Sequence, residues 1–373
     1  MIRVLYARLL VTPTETVEDS ALVLGDGRIA ASGRRAEVAV PPGTQSDDYG
    51  DAVLAPGMID VHVHGGAGVD TMTVDGAGLA HLRQHLARHG VTSFLATTVS
   101  APWEKLLEAV ERLGRAGAEI HLEGPFLSPV RRGVHPEADL LLPRVARLHE
   151  LWERSQQHIR MITVAPELDG AIEFIAEAVK LGIRVSMGHS DATMAQVRAA
   201  IKAGACHVTH TFNAMRPLHQ RELGLLGTAL AEPELSAEII ADGVHVDPAL
   251  VRLFLRAKAP GRAVLVSDGI SAAGMGDGEY RLGDVAVRVS GNRCCSGQTL
   301  AGSVLLLDAA VRNIRTWTGC GWADAARTAT QNPATLVGWT RKGRLIPGCD
   351  ADVAVFSPQG EIVAAYVAGK LVT

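Results

Sequence analysis

Short runs of β-branched and other apolar residues recur eight times along the middle of this 373-residue chain. Most of them are followed by an amphipathic stretch such as LAHLRQHLARHG, PWEKLLEAVERLG or DATMAQVRAAIKAG, which ends in the glycine typical of a helix C-terminus. The alternation predicts parallel strands connected by helices. The predicted strands cover residues 58–63, 92–97, 119–122, 160–164, 184–187, 207–209, 238–241 and 263–266.

Eight strand–helix repeats predict a (β/α)8 barrel of the TIM type, a fold of typically ~250 residues. The competing α/β fold, an open doubly wound sheet, is disfavoured because no GxGxxG sequence follows a predicted strand. After the eighth strand, the segment GEYRLGDVAVRVSGNRCCSGQTLAGS is rich in glycine and strand-like. It predicts a β-hairpin insertion before the last long helix.

Both ends of the chain have strand-like patterns of their own. Asp26 and Gly27 form a strong hairpin turn signal near the N-terminus, and RLIPGCDADVAVF and EIVAAYVAGKLVT form two strand-like runs near the C-terminus. Neither end has enough strands to bury an apolar face alone. We therefore expect a small β-sandwich domain built from residues 1–52 and 340–373, and a barrel domain of residues 53–339.

The composition narrows the class of protein. Hydrophobic residues make up 47% and charged residues 20%, as in a soluble enzyme with a sizeable core, and the net charge of -4 gives no reason to expect nucleic acid. No stretch reaches the roughly 20 apolar residues that span a bilayer, and the N-terminus lacks the pattern of a signal peptide. The five cysteines form no CxxC pair, which favours free thiols in the cytoplasm.

Metal-binding side chains recur at the C-terminal ends of the predicted strands, where barrel enzymes carry their chemistry. The first strand ends in a His-x-His sequence, whose two side chains point to the same side because strand side chains alternate. One buried histidine is more often a core residue than a ligand. The joint position of several metal-binding side chains at one face of the barrel instead indicates a metal centre. The set comprises His62, His64, Glu123, His189, His210, His245 and Asp268.

A second group of histidines lies on a helix rather than at strand ends. His81, His85 and His89 are spaced four residues apart, which resembles a helical metal site. The leucines of the same helix define its buried stripe, so we expect these histidines to face solvent.

The types of ligand indicate the chemistry. Imidazole and carboxylate groups suit Zn²⁺ or Fe²⁺. Such an ion lowers the pKa of bound water from ~15.7 to ~7 and polarises a carbonyl group. Asp268 is the natural proton shuttle between water and a leaving nitrogen, with a structural helix cap as the alternative role. The residues therefore predict metal-assisted hydrolysis of an amide bond.

The segments PGMIDVHVHG, HLEGPF, MGHSDAT, HTFNAM, ADGVHVD and LVSDGI resemble the amidohydrolase superfamily and, within it, the N-acetylglucosamine-6-phosphate deacetylases. The resemblance runs nearly end to end, including PGCDADVAVF and VAGKLV. HLEGPF and HTFNAM are far more specific than the His-x-His sequence. The resemblance implies an enzyme of amino-sugar metabolism that converts N-acetylglucosamine 6-phosphate to glucosamine 6-phosphate and acetate.

The resemblance also implies a divalent metal cofactor, with one or two ions of Zn²⁺ or Fe²⁺ per chain. Glu123, His189 and His210 would hold the principal ion. His62 and His64, with Glu123 bridging, would hold a second. No lysine lies at a strand end, which agrees with Glu123 taking the place of the carboxylated lysine of many relatives.

Further roles follow from the same resemblance. Asp268 matches the catalytic acid/base, and His135 in RRGVHPE matches the group that polarises the acetyl carbonyl. The loop after the sixth strand would reach into the site of a neighbouring subunit, so a homodimer is expected. The groups that match a sugar-phosphate site are Asn213, the backbone of Ala214, Arg221 and His245.

Three alternatives stay open at this point. One is a deacetylase for N-acetylgalactosamine 6-phosphate, and another is a different amide hydrolase on the same scaffold. The third is a noncatalytic barrel, which is disfavoured because such proteins lose ligands or the acid/base, all of which are present here.

Overall fold

The computed structural model describes residues 2–372. The chain divides into two compact units. One unit combines residues 1–60, 83–93 and 307–373, and the other combines residues 61–82 and 94–306.

Strands dominate the beginning of the chain, and strands alternate with helices in its middle. The first strands are β1 Ile2–Val11, β2 Thr16–Gly25, β3 Arg28–Arg34, β4 Gln45–Asp48 and β5 Val53–Pro56. The strands that follow are β6 Met58–Val63, β7 Gly65–Gly66, β8 Val69–Asp70, β9 Val91–Thr98, β10 Ile120–Glu123, β11 Ile159–Val164, β12 Arg184–Met187, β13 His207–Val208, β14 Ala237–Ile240 and β15 Ala263–Val266. The helices between them are α1 Gly76–Arg88, α2 Trp103–Arg115, α3 Val145–Arg154, α4 Ala171–Lys180, α5 Met194–Ala203, α6 Gly224–Ala231 and α7 Pro248–Ala257.

The last part of the chain contains an inserted group of strands, three helices and a final group of strands. The inserted strands are β16 Gly278–Leu282, β17 Val285–Ser290, β18 Arg293–Ser296 and β19 Thr299–Leu300. The helices are α8 Leu307–Thr318, α9 Trp322–Ala329 and α10 Gln331–Leu336, and the final strands are β20 Val353–Phe356, β21 Ile362–Val367 and β22 Lys370–Leu371.

Strands from both ends of the chain form one eight-stranded sheet in the first unit. Its order is β22-β21-β20-β5-β1-β2-β3, with β4 beside β1. The predicted hairpin is confirmed, because β2 and β3 pair antiparallel across Asp26 and Gly27. One core cluster includes Leu22 from β2, Val353 from β20 and Tyr366 from β21. Strands that are distant in the sheet order therefore share the same core.

The predicted alternation of strands is confirmed in the parallel sheet β13-β12-β11-β10-β9-β6 and the parallel pair β14-β15. Each of the eight strands begins and ends within one residue of its predicted bounds. The N–H of Val208 donates to the carbonyl of Ser236 at 3.0 Å, which connects β13 with the start of β14. The N–H of Asp268 donates to the carbonyl of His62 at 3.0 Å, which connects the end of β15 with β6. This arrangement is that of a TIM-like barrel.

The insertion after β15 contains more strands than the predicted hairpin. The expected hairpin is part of a four-stranded antiparallel sheet with the order β16-β17-β18-β19. The short turns at Gly283, Gly291 and Gly297, all with positive φ, allow the chain to reverse three times. No helix within residues 2–372 has both the length and the apolar surface needed to cross a membrane.

The prediction that the three helical histidines face solvent is confirmed for one of them only. The leucines of α1 are buried, His81 is exposed, and His85 and His89 are half-buried. Nδ1 of His89 lies 3.6 Å from Asp308. In the described part of the chain, none of the three histidines belongs to a cluster with metal-ligand spacing.

Candidate active site

Imidazole groups from several strand ends converge on the carboxylate of Glu123, the last residue of β10. Its Oε1 lies 3.2 Å from Nε2 of His189 and 3.0 Å from Nε2 of His210. The same oxygen is 3.4 Å from Nε2 of His62, and Oε2 is 3.2 Å from Nε2 of His64. All five side chains are buried. Residues far apart in the sequence therefore meet at one carboxylate.

Three of the residues at this centre have unusual backbone conformations. The φ angles are 46° at His189, 26° at His210 and 52° at Asp268. Residues other than glycine rarely adopt this left-handed region, at a cost of order 1–3 kcal/mol each. Such strain concentrates at functional sites, where it directs a side chain toward the chemistry. Each of these residues follows a barrel strand and turns its side chain toward the centre.

Hydrogen bonds from the outer nitrogens determine how the imidazoles face one another. Nδ1 of His189 lies 2.9 Å from the carbonyl of Arg131, which only accepts, so Nδ1 carries the proton. Nε2 of the neutral ring then has a lone pair, and it faces Nε2 of His210 at 3.0 Å. Nδ1 of His62 likewise lies 3.0 Å from Oε2 of Glu238. Lone pairs that converge beside a carboxylate form a donor set that fits a divalent metal ion.

The electrostatics agree with a cation site. Burial acts to lower the pKa of His62, but Glu123, Asp268 and Glu238 outweigh it and hold this pKa well above its ordinary value. Burial lowers the pKa of His189 to about 4, which leaves this ring neutral at pH 7. Burial raises the pKa of Glu123, but the facing imidazoles outweigh it, so the group is ionised. Protons and a divalent ion compete for such nitrogens.

Asp268 lies next to this centre, directly after β15. Its Oδ1 is 3.1 Å from Nε2 of His64 and 3.5 Å from Nε2 of His62. Burial raises its pKa, but the neighbouring imidazoles outweigh burial and hold the pKa below its ordinary value. The next α-helix of the described chain begins only at Leu307, so Asp268 caps no helix there. Its carboxylate is available to accept a proton.

His135 approaches Glu123 from the long segment after β10. Its Nε2 is 3.6 Å from Oε2 of Glu123, and its Nδ1 is 2.9 Å from Oγ of Ser100. The backbone N–H of Ser100 also donates to Nδ1 at 3.2 Å. Nδ1 is therefore an acceptor, and Nε2 of the neutral ring carries the proton. This tautomer suits a hydrogen-bond donor rather than a metal ligand.

A cavity of about 530 Å³ opens over the centre. It brings together His64, Glu123, His135, His189, His210 and Asp268 with the predicted substrate residues Asn213, Ala214 and His245. Nδ1 of His245 lies 2.7 Å from Oδ2 of Asp242, which leaves Nε2 for other contacts. The inserted sheet adds Arg293, Gln298 and Thr299 to the cavity wall, and these residues were missed by sequence reasoning.

Arg221 has a different location from the other predicted residues. It lies in an exposed turn between β13 and α6, where its N–H donates to Nδ1 of His219 at 3.3 Å. Among residues 2–372, Arg221 is not one of those that line the cavity. The expected role of Arg221 as a phosphate ligand stays a prediction.

Sequence reasoning also missed the buried polar groups behind the centre. Glu238 contacts His62 and His207, and His121 bonds Thr163 at 2.8 Å and the carbonyl of Val61 at 3.0 Å. The sequence does contain a signal for this buried group, because Glu238 is an acidic residue in the otherwise apolar strand AEII. A carboxylate within a buried strand needs a partner.

Comparisons with known proteins agree with this geometry. The sequence profile of the amidohydrolase family matches residues 53–372. The N-acetylglucosamine-6-phosphate deacetylase of Bacillus subtilis strain 168 is 37% identical over 378 residues, which cover 97% of this chain and 95% of that protein. The N-acetylgalactosamine-6-phosphate deacetylase of Escherichia coli O157:H7 is 39% identical over 384 residues, which cover 100% and 99%.

A solved structure is also similar over the full length. It is a mutant of N-acetyl-D-glucosamine-6-phosphate deacetylase from Mycobacterium smegmatis in complex with N-acetyl-D-glucosamine-6-phosphate. The TM-score is 0.94 at 34% identity, with 100% of this chain and 99% of that chain covered. On the profile match, these full-length similarities and the shared fold, the chain belongs to the amidohydrolase family.

Proposed function

We propose that this protein is a metal-dependent deacetylase that hydrolyses N-acetylglucosamine 6-phosphate to glucosamine 6-phosphate and acetate. The observation that carries the proposal is the convergence of four imidazoles on Glu123, with Asp268 beside them, at a cavity whose wall includes Glu123, Asp268 and three of these imidazoles. Relatives named for this activity align with nearly the whole chain, which supports the choice of substrate.

The donor set suggests where metal would bind. We assign Glu123, His189 and His210 to a principal ion, and His62 and His64, together with Glu123, to a second. Imidazole and carboxylate donors favour Zn²⁺ or Fe²⁺. When bound, such an ion polarises the amide carbonyl and increases the acidity of water.

The residues of the chain supply proton transfer and charge stabilisation. The carboxylate of Asp268 accepts a proton from the attacking water and later donates a proton to the nitrogen as the carbon–nitrogen bond breaks. The Nε2–H of His135 donates a hydrogen bond to the acetyl oxygen as negative charge develops on it. His245, Asn213 and the backbone of Ala214 hold the sugar phosphate at the cavity wall.

A second candidate substrate is N-acetylgalactosamine 6-phosphate. The relative from Escherichia coli O157:H7 that is named for this substrate is 39% identical and covers the full chain. The two sugars share the acetyl group and the phosphate and differ in the orientation of one hydroxyl group. The ratio of kcat/KM for the two substrates decides between them.

We also propose a homodimer in which Arg221 serves the site of the partner subunit. The exposed position of Arg221 in its own chain supports this arrangement. Mixing inactive Asp268→Asn chains with impaired Arg221→Ala chains should raise activity on the 6-phosphate above that of either variant if the sites are shared, because one site of each hybrid dimer combines an intact Asp268 with an intact Arg221 from the other subunit. Absence of restored activity in hybrids that form, measured after unfolding and refolding together, would exclude sharing.

The remaining assignments concern location and domain structure. All five cysteines are free, which supports residence in the cytoplasm. We propose that residues 1–52 and 340–373, extended by Val53–Pro56, form a small β-sandwich domain and that the rest of residues 53–339 contains the barrel. The shared core of β2, β20 and β21 supports a curled sheet, in which Val53–Pro56 pairs with β1 and β20.

The direct test combines metal analysis with an assay for acetate. Purified protein should contain at least one divalent ion per chain and release acetate and a free amine in equal amounts from N-acetylglucosamine 6-phosphate. A metal-containing, folded protein that releases no acetate from either sugar phosphate would contradict the proposed function.

A further inference from the structure

Glu238 is a fully buried carboxylate for which the proposed reaction has no use. It lies in β14, behind the centre rather than on the cavity wall. Oε2 is 3.0 Å from Nδ1 of His62 and accepts the backbone N–H of His210 at 3.0 Å. Oε1 is 3.1 Å from Nε2 of His207. One side chain therefore contacts both halves of the candidate metal centre.

A buried carboxylate is costly unless hydrogen-bond donors satisfy it. Glu238 meets this condition with three donors, of which the His62 ring belongs to the candidate metal ligands. Since an ionised carboxylate only accepts, the proton of the neutral His62 ring must lie on Nδ1. Nε2 then keeps its lone pair, and it faces Nε2 of His64 at 3.2 Å. The other tautomer would direct a proton into the centre.

The two histidines of the first strand differ in this respect. Nδ1 of His64 is buried and has no hydrogen-bond partner in the described part of the chain. The orientation and tautomer of His64 are therefore not set by an outer contact of this kind. In the His62–His64 half of the centre, control of the tautomer falls on the pair of His62 and Glu238.

We propose that Glu238 is a positioning residue that holds the proton of His62 on Nδ1 and thereby controls occupancy of the second metal position. The inference rests on the metal-dependent function proposed above. It predicts that the His62–His64 position depends on Glu238, whereas the position of Glu123, His189 and His210 depends on it much less. Outer contacts of this type change metal affinity by about 10–100-fold.

The experiment titrates metal-free, full-length protein with Co²⁺ and follows binding by calorimetry and elemental analysis. Wild-type protein should bind two ions per chain. Glu238→Gln removes the charge and leaves a single amide oxygen for several donors, so the second ion should bind about 10–100-fold more weakly. Glu238→Leu removes both acceptor oxygens and should weaken binding of the second ion further. If circular dichroism shows that the leucine variant does not fold, the test of the role of Glu238 rests on the glutamine variant.

His207→Gln is the matched control. His207 contacts the other oxygen of the same buried carboxylate but does not contact His62 through that bond. A purely structural role of this polar cluster predicts similar losses of thermal stability and of metal affinity for Glu238→Gln and His207→Gln. The positioning role predicts a selective loss of the second ion in Glu238→Gln alone.

A double-mutant cycle tests whether Glu238 acts through His62. In a His62→Asn background, Glu238→Gln should cause no further change in the affinity for metal. Additive losses would overturn the inference, as would a single ion in wild-type protein, equal losses of both ions, or unchanged affinity in Glu238→Gln.

The acetate assay on wild-type protein keeps the two proposals distinguishable. Selective loss of the second ion in a protein without deacetylase activity would support the inference and contradict the function. An active wild-type enzyme whose Glu238 variants bind both ions normally would support the function and overturn the inference.

Discussion

The backbone N–H of Ser100 donates a hydrogen bond to Nδ1 of His135 at 3.2 Å, so that the proton of the neutral ring lies on Nε2. His189 has the opposite arrangement, because its Nδ1 donates to a backbone carbonyl. The same type of side chain therefore presents an N–H to the centre at one position and a lone pair, as a metal ligand would need, at another. This contrast matters because Glu123, His135 and His189 lie close enough together to hold a metal.

We expect His135→Phe to keep its metal content and to lose about 10²–10³-fold in kcat, the usual effect of removing one donor to a developing oxyanion. His135→Gln keeps a side-chain N–H and should recover part of the loss. The measurements are metal content and steady-state kinetics of acetate release. Loss of metal from the phenylalanine variant would show that His135 is a metal ligand instead.

We expect Asp268→Asn to fold, to retain metal and substrate binding, and to lose turnover by about 10²–10⁴-fold or more. The amide cannot accept or return the proton, and both proton transfers depend on this group. Calorimetric binding of substrate to the variant, beside single-turnover kinetics, separates binding from chemistry. A variant without metal would show that Asp268 is chiefly a ligand.

Removal of metal should abolish turnover and also lower the melting temperature. A ligand that binds only the folded state contributes RT ln(1 + [L]/Kd) to the free energy of unfolding. Differential scanning calorimetry before and after chelation measures the change, and added Zn²⁺ or Fe²⁺ should restore both properties. Full activity of rigorously metal-free protein would contradict the metal-dependent reaction.

Arg221→Ala should lower kcat/KM for the 6-phosphate by about 10–150-fold, the equivalent of one charge-assisted hydrogen bond of roughly 1.5–3 kcal/mol. Hydrolysis of unphosphorylated N-acetylglucosamine should change little. Arg198→Ala, at another exposed arginine, serves as the control and should affect neither substrate. Equal losses on both substrates would show that Arg221 does not recognise the phosphate.

Gly57→Ala should destabilise the protein, because a Cβ atom there would lie 2.2 Å from Oγ1 and 2.5 Å from Cγ2 of Thr92. Rotation of Thr92 cannot relieve both contacts, and overpacking of this kind costs about 1–3 kcal/mol. Gly76→Ala, at the first residue of α1, meets nothing within 4 Å and should be neutral or slightly stabilising. Urea denaturation of both variants measures the difference in the free energy of unfolding.

The sequence by itself determined the order of the barrel strands and most of the candidate site. Each strand is a local run of apolar residues, and period-two alternation directs His62 and His64 to the same side whatever their surroundings. Parallel strands also carry their C-terminal ends to one face, so Glu123, His189 and Asp268 could be grouped before any contact was known. These inferences need only short-range patterns and one topological rule.

Only the tertiary structure decided which nitrogen of each histidine faces the centre. That choice depends on contacts such as His62 with Glu238, 176 residues apart, and Ser100 with His135, 35 residues apart. The extension of the predicted hairpin to four strands, and its contribution of Arg293 to the cavity, likewise depend on packing between distant segments. Local patterns specify strands and helices, whereas a tautomer is set by whichever donor or acceptor the folded chain brings to the outer nitrogen.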